Sequence, residues 1–112
     1  MTGANVIGRV RNLINDTVSP YRWEDTVLLD WINDGVRDVR RLRPDAKFDS
    51  NANVVAYSSA SATGDTLILD NEWKTALVEY VCFKCFDQDG ADEADLKRMY
   101  QHKKQYAEVV LT

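Results

Sequence analysis

The residues able to do chemistry are few and scattered. Cys82 and Cys85 form a C-x-x-C inside "YVCFKCF", and His102 is the single histidine. A zinc site takes about four ligands, and one distant histidine does not complete that set. A redox pair wants a strand-turn-helix context, whereas these thiols lie in an apolar helical run and read as small core residues. His102 stands among Lys97, Arg98, Lys103 and Lys104. No motif sets a serine or cysteine nucleophile beside it, so it reads as a solvated side chain rather than a general base. Asp87, Asp89, Asp92, Glu93 and Asp95 form an acidic stretch. It lacks the spacing and terminal glutamate of a calcium loop, and reads as a solvated turn and helix cap. The glycines are scattered singly, so no phosphate cradle is present. No catalytic residue, metal ligand or cofactor site is expected, and the chain does not read as an enzyme.

What remains is the chemistry of contact. "RWEDTVLLDWINDGVRDVRRLRPDAKF" carries two tryptophans, a polar Asn33-Asp34 step and an arginine-rich exit. Arg37, Arg40 and Arg41 have two readings. They pair within the helix with Asp34 and Asp38 at a few tenths of a kcal/mol each, or they make a charged contact between subunits, where arginine is enriched. Tryptophans serve as core residues or as interface anchors. Trp31 is expected in the core. Val109, Val110 and Leu111 make an apolar finish. The interface candidates are therefore Trp23, Arg37, Arg40, Arg41, Val109, Val110 and Leu111. The last three, with the loop over 51–64, are expected to be mobile in a free subunit and ordered by assembly.

At 112 residues the chain reads as one domain, 1–112, with a modest core. A net charge of -4 opposes a role in coating nucleic acid, because phosphate binding rests on lysine and arginine. The charge is uneven, with a basic stretch over 37–47 and an acidic one over 87–95, a polarity that suits oriented stacking of subunits. No apolar run reaches the roughly 20 residues of a membrane span, and no export signal opens the chain. A soluble, unexported protein is expected.

Four helices must position these residues. Val6, Ile7, Val10, Leu13 and Ile14 share one face of a first helix ending near Asn15 and Asp16, and Ser19-Pro20 opens a connector. Leu28, Trp31, Ile32, Gly35, Val39 and Leu42 stripe a second, which Pro44 stops. Gly35 in mid-helix costs about 1 kcal/mol relative to alanine, so a close helix crossing is expected there. Residues 49–69 read as a Ser/Ala/Asn-rich loop, within which 54–57 and 66–69 are extended enough to pair as a small hairpin. Asp70 is the expected cap of a third helix, apolar around most of its circumference. That is more than a four-helix monomer covers, so part of it is expected to meet another subunit. Gly90 breaks the chain, Asp92 caps, and a fourth helix follows with Leu96, Met99, Tyr100, Tyr106 and Val110 as its stripe. The fold class is all-α, a small bundle of about four helices.

This order of parts resembles the head-tail connector, or adaptor, proteins of tailed bacteriophages. The most specific pieces are "DWINDGVRDVRRLRPDA" and "YVCFKCFDQDGADEADLKRMYQHKKQY". The resemblance implies a structural virion protein, made in the host cytoplasm and placed at the head-tail junction. It implies a homo-oligomeric ring, commonly of twelve, bound below the portal protein and receiving a stopper or tail-completion protein. DNA would pass through its channel without sequence-specific binding, and no membrane or cofactor would be involved. The rival reading is a small helical DNA-binding regulator with the second helix as reader; the net acidity stands against it.

Overall fold

The computed structural model describes residues 1–49, 51–89 and 93–111. The first helix, α1 (Gly3–Ile14), begins at a reciprocal cap: Thr2 Oγ1 accepts the Asn5 N–H at 3.2 Å, and Asn5 Oδ1 accepts the Thr2 N–H at 2.9 Å. It ends at Asn15, which takes the left-handed conformation (φ 60°) that asparagine tolerates, and whose N–H returns to the Arg11 carbonyl. The second helix, α2 (Asp25–Leu42), stops as Pro44 requires, and a 3-10 turn follows over Pro44–Lys47. A 3-10 turn over Asn71–Trp73 leads into α3 (Lys74–Asp89). Asp70 supplies no side-chain cap there, and its carbonyl accepts the Trp73 N–H instead. The last helix is α4 (Glu93–Leu111). The break at Gly90 and the cap at Asp92 lie outside the described residues.

The helices alternate in direction. Gly3 lies against Leu29, Gly35 against Leu77 and Tyr80, and Glu79 meets His102. A Cβ at Gly35 would come within 2.9 Å of the Tyr80 ring and 3.1 Å of Leu77, so the expected close crossing is there. α3 packs on all three other helices, which explains its composition. Ala76, Leu77, Val78, Tyr80, Val81, Cys82, Cys85 and Phe86 are all buried within the single subunit. Most of its apolar surface is therefore covered within the subunit, while Phe83 and Glu79 are only partly buried and Thr75 faces outward. A correction concerns the tryptophans. Trp73 is the buried one, at 8% exposure, while Trp31 is only partly covered and meets Trp23 edge to face, centroids 6.5 Å apart.

The segments over 54–57 and 66–69 do not pair with each other. Val54 bridges Phe48, and Thr66 bridges Thr2 at the start of α1. Leu67 and Leu69 are buried, so the second segment serves the helix core rather than a hairpin.

Candidate interaction surface

The polar residues of α2 hold the long loop. Asn33, 8% exposed, donates from Nδ2 to the Ala60 carbonyl at 3.0 Å and accepts the Ala60 N–H on Oδ1 at 2.9 Å. The side chain thereby imitates one rung of a β-ladder. Two turns further along, Arg40 Nη2 donates to the Val55 carbonyl at 2.7 Å. Within the loop, the Asp65 carboxylate accepts the Ser61 and Ala62 N–H groups, each at 3.0 Å, and the Ser61 hydroxyl at 3.1 Å. Those donors, led by the Ala62 amide, hold the Asp65 carboxyl below the usual carboxylate range. The Thr63 carbonyl accepts the Ala4 N–H at 2.8 Å. The loop is thus tied to the bundle at Val55, Ala60 and Thr63, with most of the residues between these points exposed.

Arg11 is a second organiser that the periodicity of α1 passes over. It is 6% exposed. Its Nη1 donates to Asp16 at 2.8 Å, and its Nη2 to Asp25 at 2.7 Å and to the Trp23 carbonyl at 2.9 Å. Its guanidinium lies 3.7 Å from the Tyr21 ring centroid. The other Asp16 oxygen accepts the Arg22 N–H. One planar cation therefore fixes the connector between α1 and α2. The available signal was an arginine one turn after Ile7, on the apolar side, with acids following at Asp16 and Asp25.

The interface candidates separate into three groups. Arg37 and Arg41 are exposed and pair with Asp34 at 3.1 Å and Asp38 at 2.7 Å. Leu111 is 62% exposed, whereas Trp23 and Val109 are partly covered. Val110 is 0% exposed, and its carbonyl accepts Arg43 Nη1 at 2.9 Å. It belongs to the subunit's own core rather than to an outward-facing contact. Arg40 is also buried, at 8%. It lines a groove of about 370 Å³ together with Arg37, Arg41, Lys47 and Tyr57, and Arg37 lies 4.9 Å from the Tyr57 ring centroid. Arg40 Nη1, buried there, has no hydrogen-bond acceptor.

The thiols and the histidine occupy packed sites. Burial pushes the Cys82 thiol well up and the Cys85 thiol up to about 12, so neither offers a thiolate near neutrality. His102 is not the solvated residue its basic neighbours imply. Its Nδ1 meets the Glu79 carboxylate and its ring stacks on Phe86, centroids 5.6 Å apart, at the junction of α3 and α4. Between α4 and α2 the Tyr106 hydroxyl donates to Asp38, and burial, with that bond, raises the phenol above its ordinary range. No cluster of three or more metal-binding side chains occurs among the described residues, and no helix there is long and apolar enough to cross a membrane.

Against known families, residues 1–63 match the model described as SU10 adaptor protein. That span holds α1, the Arg11 connector, α2 with Asn33 and Arg40, and the loop as far as Thr63. No curated protein and no solved structure matches the chain.

Proposed function

The chain belongs to the SU10 adaptor protein family, and on that premise we propose that it is the subunit of a ring below the portal of a tailed bacteriophage. There it extends the DNA channel and receives the stopper or tail-completion protein. The family match over more than half of the chain carries this reading; it supports a phage structural adaptor, a class that is not enzymatic. The architecture is consistent with it. The buried polar side chains tie the chain to itself: Asn33 and Arg40 to the loop, Arg11 to the connector, Tyr106 to Asp38. A mildly acidic subunit also suits a channel past which phosphates slide without sticking.

The proposal is tested in the virus that encodes the chain. An early stop codon in its gene should yield filled heads and separate tails that do not join, with joining restored when the purified protein is added. Normal tailed particles from the stop-codon mutant, or heads that fail to package at all, would contradict the assignment.

A further inference from the structure

The exit of α2 presents a cationic groove, a receptor for anions, that one subunit cannot fill for itself. Arg37, Arg40, Arg41 and Lys47 converge on the groove beside Tyr57, and Asp34 and Asp38 neutralise only part of that charge. Arg40 is more than nine-tenths buried, with Nη2 satisfied by the Val55 carbonyl and Nη1 without an acceptor. That N–H has no accessible surface, so the charge open to a partner is that of Arg37, Arg41 and Lys47 at the rim, with Arg40 as the fixed floor beneath them. The adjoining surface is protein-like rather than purely cationic, since Phe48 and Val54 beside Lys47 and Val55 are exposed at 46% and 68%. Interspersed carboxylates and exposed apolar groups fit a protein side chain better than a phosphodiester backbone.

The opposite charge lies at the other end of the same molecule. Arg43 stands over Trp73 at 5.3 Å and bonds the Val110 carbonyl, so the exit of α2 lies beside the start of α3 and the end of α4. Asp87, at the far end of α3, and Glu93, at the start of α4, are exposed. α3 rises about 20 Å between Trp73 and Asp87, more than a side chain spans. We infer that the groove at Arg37, Arg40, Arg41 and Lys47 receives the carboxylates of Asp87 and Glu93 from a second copy of this chain. Each subunit carries one receptor and one donor, so the contact is head-to-tail, the kind that propagates and closes into a ring when the rotation permits. The inference rests on the ring reading and names the contact between its subunits.

The test is a charge exchange. One variant carries Arg41→Glu and Lys47→Glu, the other Asp87→Lys and Glu93→Lys; all four sites are at the surface or rim, and circular dichroism should show both folded. Self-association is measured by light scattering at low salt over rising concentration, and ring formation by native mass spectrometry with the cognate portal. Each variant alone should lose association by about tenfold or more, as expected for juxtaposed like charges. An equimolar mixture should recover it, because each reversed groove then finds a reversed partner. Wild-type association should weaken as salt rises. Variants that assemble like the wild type, or a mixture that does not recover, would overturn this contact while leaving the ring intact. So would a loss confined to binding of duplex DNA by the Arg41 and Lys47 variant. A wild-type chain that forms no oligomer with or without the portal would overturn the ring reading itself, and this contact with it.

Discussion

Replacing Asn33 with alanine should release the loop without melting the bundle. The side chain makes two hydrogen bonds to Ala60, at 3.0 and 2.9 Å, and is 8% exposed. Each such bond contributes about 1 kcal/mol net. Ala60 itself is partly exposed, so water can satisfy some of what is lost, and the local cost comes to about 2 kcal/mol. At 1.36 kcal/mol per tenfold, amide exchange at Ala60 should quicken about 30-fold. Exchange at Ala62, also held by Asp65, should quicken less. Amides in the middle of α3 should keep their rates, because Leu77 and Val81 do not depend on the loop. Asn33→Asp should be at least as harmful: it keeps the acceptor for the Ala60 N–H but sets a carboxylate oxygen against the Ala60 carbonyl. The assay is native-state hydrogen exchange read residue by residue. Unchanged protection at Ala60 in Asn33→Ala would refute the latch, and equal acceleration in loop and core would show that Asn33 supports the whole fold instead.

Arg11→Met strands the Asp16 carboxylate, 12% exposed, so it should cost about 3 kcal/mol, or roughly 12 °C in Tm for a domain of this size. Asp16→Asn in the same chain should restore part of that, and a loss below 1 kcal/mol in thermal unfolding would contradict the connector's dependence on this cation. Trp73→Ala should cost about 3 to 5 kcal/mol by urea denaturation, and Trp31→Ala, from a half-covered site, distinctly less; the reverse order would mean the core has been misassigned. The Asp65 carboxyl is held below its ordinary value in the fold, so its contribution is present above about pH 3.9 and lost as pH falls through the depressed value. Ser61 and Ala62 amide shifts should therefore report an acid step that Asp65→Asn abolishes.

Much of the helical frame was legible because it rests on spacing. The stripes of α1 and α2, the stop at Pro44 and the close crossing at Gly35 all follow from local periodicity and backbone chemistry. What was not legible depended on long-range partners. An apolar helix such as α3 reads equally as a core helix or an interface helix, and only the arrangement of the other three helices decides between them. The Ser/Ala loop looked free because its own side chains supply few anchors; its ties come from Asn33 and Arg40, residues 27 and 15 positions away. Trp31 lies on the apolar stripe of α2 but at its margin, where the partner is Trp23 rather than α3. His102 and Glu79, separated by 23 residues, carry no sequence signal of their pairing. The basic exit was visible as charge, but not the division between a buried Arg40 and the exposed Arg37 and Arg41.

The central claim, that this chain is the adaptor beneath a phage portal, is most directly tested by cryo-electron microscopy of the purified protein mixed with its cognate portal. The account predicts a closed ring of this four-helix subunit on the tail-facing end of the portal, coaxial with the DNA channel. A portal with no added density, or subunits found only along free duplex DNA, would contradict it.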